Sequence, residues 1–344
     1  MGVITKITLQ DKIKMNYKVS LTIIIISSVI SYFLLRSAPL SDEELTEHLT
    51  DKVVLLCGAS SGIGEELAYQ FAAHGAKLVL VARRQAKLEQ VRTEILERGT
   101  PAENVMIISF DFSNVAKSKE VIDQTLDKFG GLDYLVSNHG IVDLSGPFLA
   151  QPHNQDYIEK MFRVNLFSHI ELAVHALPHI EKRDGHMFFT SSMNGELPWY
   201  RSASYASTKH AMNGFFYSLQ QELRARESNV SLTIGAVGWV LTKETAQLLA
   251  ENGLENPYPE RQTGKVEDCA RAMMEAYVTR PETMTYPNLV GRIYRAQWYF
   301  NPYFHDLAIN NAKPKGSVGT GYKEAVEQSM LIAKSQHQQG HGKQ

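Results

Sequence analysis

The sequence predicts an α/β protein: a doubly wound parallel sheet with helices on both faces, preceded by an N-terminal transmembrane helix. Three observations carry this. From Asp51 onward, short apolar runs of strand length alternate with segments of helical period. The runs are apolar throughout, as strands covered on both faces require. The first run leads directly into a glycine cluster that opens a helix, a junction suited to holding phosphate.

The elements follow in order. Strands are read at 52–57 (KVVLLC), 77–82 (KLVLVA), 105–110 (VMIISF), 132–137 (LDYLVS), 186–190 (HMFFT) and 230–237 (VSLTIGAV). Helices are read from the glycine cluster to about His74, over 84–98, near 115–129, as one long helix over about 155–180, and from near Tyr205. No repeat or domain boundary interrupts 51–290. Residues 36–50 read as a short polar linker.

Composition narrows the function classes. The 344 residues are 44% hydrophobic, enough for a large core, and the formal net charge of -2 with no long basic run argues against nucleic acid as a partner. Two cysteines, Cys57 and Cys269, exclude a disulfide scaffold and a Cys-rich zinc site. His74, His169, His175, His179 and His186 have no ligand spacing, so no metal is expected.

Residues 19–35 hold no charge between Lys18 and Arg36, which is the short end of what spans a bilayer. Arg36 falls where signal cleavage after Ala38 would need a small residue, so the segment reads as an uncleaved anchor. Lys6, Lys12, Lys14 and Lys18 on one side and Asp42, Glu43 and Glu44 on the other keep residues 1–18 cytosolic and the large domain lumenal. The sequon Asn229-Val230-Ser231 agrees with that topology. At the other end, 291–334 forms an aromatic, partly basic extension, read either as a helix packing on the domain or a dimer mate, or as a membrane-touching surface. Residues 335–344 read as a disordered tail.

Three patterns point to chemistry. Gly58, Ser60, Ser61, Gly62, Ile63 and Gly64 follow the first strand and open a helix, the context of a Rossmann-type dinucleotide site, where the backbone approaches a pyrophosphate. After the second strand stand Arg83 and Arg84 in place of an acidic residue, which favours a 2′-phosphate and therefore NADP. Tyr205 and Lys209 lie four apart in a predicted helix, so a phenol faces an ammonium that would lower its pKa. With 15 tyrosines, roughly one such pair arises by chance, so this pair gains meaning from the glycine loop and the arginines.

Together these elements resemble the short-chain dehydrogenase/reductase family over about 50–290. The family's Thr-Gly-x-x-x-Gly-Ile-Gly motif is similar to Cys57 through Gly64, and its Asn-Asn-Ala-Gly motif to Ser137-Asn138-His139-Gly140. The resemblance implies cofactor contacts at Asp111, Asn138, Gly140, Val240 and Thr242, as well as at Tyr205 and Lys209. It implies a catalytic tetrad of Asn165, Ser192, Tyr205 and Lys209, with Ser192 rather than Ser191 in the serine position, and substrate contacts at Ser192 and Tyr205. In such a tetrad Tyr205 moves the proton, Lys209 lowers its pKa, Ser192 holds the substrate oxygen and Asn165 holds a water next to Lys209.

Closer still is the resemblance to the 11-beta-hydroxysteroid dehydrogenase type 1 group, through the anchor, Asn138-His139, Tyr205 to Lys209, Asn229-Val230-Ser231 and Val237-Gly238. That group implies an enzyme of the endoplasmic reticulum membrane: single-pass, lumenal, NADP-dependent and homodimeric. Ser61 stands where the group tends to carry a basic residue, which would shift the NADP preference onto Arg83. Leu197, Pro198, Trp199 and Tyr200 are candidate apolar pocket residues, and with the anchor they imply a lipophilic substrate. A steroid is favoured; a retinoid or another lipid or xenobiotic carbonyl is the alternative, as is a catalytically silent NADP-binding membrane scaffold.

Overall fold

A computed structural model describes residues 39–142, 155–197, 202–251 and 263–287, with Ser27 and Asn256. Its centre is a seven-stranded, wholly parallel sheet in the order β3-β2-β1-β4-β5-β6-β7. The strands are β1 (Val53–Cys57), β2 (Lys77–Ala82), β3 (Val105–Ser109), β4 (Tyr134–Ser137), β5 (His186–Ser192), β6 (Ser231–Val237) and β7 (Thr283–Tyr286). The order reverses between β1 and β4, which makes the carboxyl ends of those strands the expected ligand crevice.

The helices are α1 (Asp42–Leu49), α2 (Gly62–Ala73), α3 (Gln85–Glu97), α4 (Ser118–Phe129), α5 (Gln155–Phe162), α6 (Ser168–Glu181), α7 (Ala203–Ala225), α8 (Lys243–Glu251) and α9 (Val266–Thr279). Successive strand residues feed opposite cores, as the pleat dictates. Val54 and Leu56 of β1 pack with Leu67 and Phe71 of α2, Leu88 of α3 and Met273 and Tyr277 of α9. Val53, Leu55 and Cys57 pack with Ile122 of α4, Leu172 of α6 and Phe216 of α7. Both cysteines are free and buried.

Two expectations are corrected. Residues 42–49 of the supposed linker form α1, closed by a capping box in which Ser41 and Glu44 bond each other's backbone. Its Leu45 and Leu49 are fully buried in the α2–α9 core, and Arg271 of α9 bonds Asp42 at 2.5 Å and the Leu40 carbonyl at 2.6 Å. The expected long helix over 155–180 is broken by a π turn at Arg163–Phe167 between α5 and α6. The anchor segment other than Ser27, the whole aromatic extension and the tail lie outside the described residues, as do Pro198, Trp199 and Tyr200. Among the described residues no helix is long and apolar enough to cross a membrane.

Candidate active site

The glycine cluster turns β1 into α2 beside β4. Gly58 sits at φ +89, and a Cβ there would lie 2.8 Å from the His139 backbone; one on Gly64 would lie 2.0 Å from the Gly58 carbonyl and 2.9 Å from Asn138 Nδ2. Glycine is required at both positions by space, and at Gly58 also by conformation. Ser61, the N-cap of α2, makes no side-chain cap bond, so the first N–H groups of the helix carry no side-chain cap there. These features fit a cofactor pyrophosphate.

Around this cradle the predicted contacts separate. Thr242 lies against Gly62, where a Cβ would meet its methyl at 2.9 Å, and its hydroxyl caps α8 through Thr245 N at 3.1 Å. Val240 is buried and bridges Gly264. Asn138 N donates to the Cys57 carbonyl at 3.0 Å. Of the two arginines, Arg84 reaches back over the loop, donating to Ser60 Oγ at 3.1 Å and Ser61 Oγ at 2.8 Å. Arg83 is exposed, and its charge acts on Asp111. Burial acts to raise the Asp111 carboxyl, but the Ser113 bonds and the Arg83 and Lys160 charges hold it below its ordinary value.

The tetrad candidates meet at the carboxyl end of β5. Strand alternation separates the two serines: Ser191 is buried and donates to Asn213 Oδ1 at 2.5 Å, while Ser192 bonds the Tyr205 phenol. Lys209 is buried near the same phenol, its Nζ 5.8 Å from the ring centroid. Lys209 Nζ donates to the Thr190 carbonyl at 2.8 Å. Burial pushes Tyr205 up, opposed only by Ser192, and burial brings Lys209 down to about 7. The phenol therefore holds its proton at neutral pH, as a donor should.

Asn165 is fully buried in the same wall. Its amide clamps the Ile141 backbone, Oδ1 accepting from N and Nδ2 donating to O, both at 2.8 Å, and Nδ2 also donates to Thr208 Oγ1 at 3.3 Å. The side chain is thereby committed to protein groups. The π turn aims it there: a local widening of the helix re-directs one residue. A Cβ on Gly140 would lie 3.4 Å from Asn165 Oδ1 and 3.9 Å from Lys209 Nζ, so the three form one wall.

Sequence reasoning missed a buried layer behind this wall. The His139 ring stacks between Phe112 at 3.6 Å and His169 at 3.9 Å, and bonds Ser168 Oγ at 2.7 Å. Lone histidines at irregular spacing gave no signal for it. Among the described residues no group of three or more His, Cys, Asp or Glu could hold a metal ion.

Comparison with known proteins gives the family. The short chain dehydrogenase family model matches residues 52–274. Over 241 residues the chain is 36% identical to a Hydroxysteroid 11-beta-dehydrogenase 1-like protein of Xenopus tropicalis, covering 70% of this chain and 80% of that one. Over 280 residues it is 35% identical to a protein of the same description from Danio rerio, covering 80% and 91%. Among solved structures, a short chain dehydrogenase/reductase from Burkholderia phymatum in complex with NAD has a similar fold, with TM-score 0.62 and 20% identity over 78% of this chain and 99% of that one. An alcohol dehydrogenase from Thermococcus sibiricus complexed with 5-hydroxy-NADP is similar at TM-score 0.57 and 24% identity, over 68% and 95%. The chain belongs to the short-chain dehydrogenase/reductase family, in its 11-beta-hydroxysteroid dehydrogenase 1-like group, and is an oxidoreductase acting on CH–OH groups.

Proposed function

We propose that this oxidoreductase is NADP-dependent and interconverts a carbonyl and a secondary alcohol on a lipophilic, steroid-like substrate. The observation that carries the reading is the cluster of Ser192, Tyr205 and Lys209 at the end of β5, walled by Asn165 and Gly140. In reduction, Tyr205 Oη gives its proton to the substrate oxygen; in oxidation it takes the proton back. Ser192 Oγ donates a hydrogen bond to the same oxygen and stabilises charge on it. Lys209, held at the Thr190 carbonyl, supplies positive charge behind the phenol. The bound nicotinamide supplies or accepts the hydride. Gly58, Gly62 and Gly64 with the open N-terminus of α2 would hold its pyrophosphate, and Arg84 with Ser60 and Ser61 would hold the 2′-phosphate.

The steroid-like substrate rests on the relatives' names and on the apolar segment near Leu197, which is itself buried. An anchor at 19–35 in the endoplasmic reticulum membrane, with the domain lumenal, rests on sequence. Exposed Asn229, bonded to Asp184 at 2.9 Å on the face away from the site, would then carry a glycan. Exposed Phe167, Val174 and Phe215 suit a homodimer.

The test is a panel of steroid, retinoid and xenobiotic carbonyls with NADPH and NADH. Wild type turns over a ketosteroid with NADPH, and Tyr205→Phe loses on the order of 10²-fold or more while still binding NADPH. Retained turnover in Tyr205→Phe would sink the mechanism. Tight NADPH binding without turnover of any carbonyl would favour the silent scaffold. A glycosidase-sensitive mass shift that Asn229→Gln abolishes would support the lumenal topology.

A further inference from the structure

The buried layer behind Lys209 is tied to the site by a chain of hydrogen bonds. Ser168 Oγ donates its one proton to the Val164 carbonyl at 2.8 Å. It can therefore only accept at His139, which fixes His139 as the Nε2–H tautomer by the bonding network. Val164 precedes Asn165 in the π turn, and Asn165 clamps Ile141, two residues beyond His139. The bonds thus close a ring: His139, Ser168, Val164, Asn165, Ile141 and back through Gly140. A branch leaves it through Thr208 Oγ1, which takes a bond from Asn165 and donates to the Tyr205 carbonyl at 2.7 Å. Gly140, inside the ring, faces Lys209 Nζ.

The imidazole carries a cost. His139 Nδ1 is buried with no hydrogen-bond partner among the described residues, which disfavours an imidazole there. A phenyl ring would fill the stack between Phe112 and His169 without that penalty. What only the imidazole supplies is the bond to Ser168. We propose, resting on the roles assigned above to Tyr205 and Lys209, that His139 is a positioning residue of the reaction. Its Nε2–H pins the π turn through Ser168 and so sets the wall against which Lys209 is held.

The charged and titratable groups that bear on this are few. His169 stacks on His139, the Lys209 charge acts on both imidazoles, and Lys209 Nζ lies 5.8 Å from the Tyr205 ring centroid. Burial first, then the Lys209 charge, keeps His139 neutral, so its donor is constant across the working pH range. Loosening the wall admits water to Lys209 and relieves the burial that lowers it.

Four variants of the full-length protein test this: His139→Phe, His139→Gln, Ser168→Ala and the His139→Phe/Ser168→Ala double variant. The readouts are kcat and KM with NADPH and a ketosteroid, and the pH midpoint of Lys209 acylation by acetic anhydride, read by mass spectrometry. His139→Phe and Ser168→Ala should each lower kcat on the order of tenfold or more through a misplaced site, with KM for NADPH nearly unchanged. In both, the Lys209 midpoint should move alkaline. Gln, whose amide N–H lies near the position of Nε2–H, should recover most of the loss, and the double variant should be no worse than His139→Phe, because both remove one bond. Wild-type kcat and midpoint in Ser168→Ala would overturn the proposal. So would additive losses, or a Gln variant no better than Phe. If His139→Phe does not fold, Ser168→Ala decides by the same two readouts. A wild type that reduces no ketosteroid sinks the functional reading, while the acylation arm still tests this one.

Discussion

Arg84 and Arg83 are neighbours with opposite surroundings. Only Arg84 turns its guanidinium onto Ser60 and Ser61, at the mouth of the glycine cradle. A guanidinium held by two hydroxyls is pre-aimed at an anion, and it can exchange those weak acceptors for a phosphate without moving far. The Arg83 charge acts on the Asp111 carboxylate. Charge-assisted bonds contribute about 1.5–3 kcal/mol, which is about 10- to 100-fold in affinity. Arg84→Ala should therefore raise KM for NADPH by about that factor and leave KM for NADH nearly unchanged. Arg83→Ala should do much less. Steady-state kinetics with both cofactors decide it, and equal effects of the two substitutions would move the phosphate contact away from Arg84.

At the scale of elements, α1 belongs to the catalytic fold. Its two apolar residues, Leu45 and Leu49, are fully buried, whereas the remainder of DEELTEHL is exposed. Thr46 adds a bond to His74 at 2.8 Å. Leu45→Ala should cost about 2–5 kcal/mol, as removal of a buried leucine does. Arg271→Ala should cost less, because Asp42 is solvent-exposed and screened. Urea denaturation of the purified protein measures both; a Leu45→Ala midpoint equal to wild type would make α1 a loosely laid linker after all. The same helix illustrates what the chain discloses. Strands β1 to β6 were legible because each is a run such as VVLLC or KLVLVA, with no other use for so many adjacent apolar side chains. Helix α1 offers one apolar pair in eight residues, and its signal lay in the Ser41–Glu44 capping box instead. Strand β7, TMTY, is too short and polar to stand out. The π turn had no local signature at all, since RVNLF is ordinary helical sequence and the turn goes together with a long-range clamp of Asn165 on Ile141. For the same reason the tetrad could be located by spacing, while the bonds of Asn165 and Lys209 could not.

At the scale of the whole molecule, the buried imidazoles among the described residues include three packed against the sheet: His139 and His169 behind the site, and His186 at the start of β5. Burial is the main cause that holds all three neutral, with His186 down to about 3. Their folded-state pKa values lie below the unfolded value near 6.5, so the unfolded chain binds more protons as pH falls. The stability that neutral imidazoles allow is fully present above about pH 6.5 and is lost as pH drops toward the folded values. Each contributes a slope of about 1.4 kcal/mol per pH unit below that point. The free energy of unfolding should thus be flat in this respect from pH 8 to 7 and fall steeply from 6.5 to 5. His186→Asn, which removes one ionisable ring beside Ser231 and Tyr277, should flatten that slope while lowering the plateau. Equilibrium denaturation at four pH values tests the claim: a wild-type profile unchanged between pH 7 and 5, or a His186→Asn slope as steep as wild type, would show that these imidazoles do not govern acid stability.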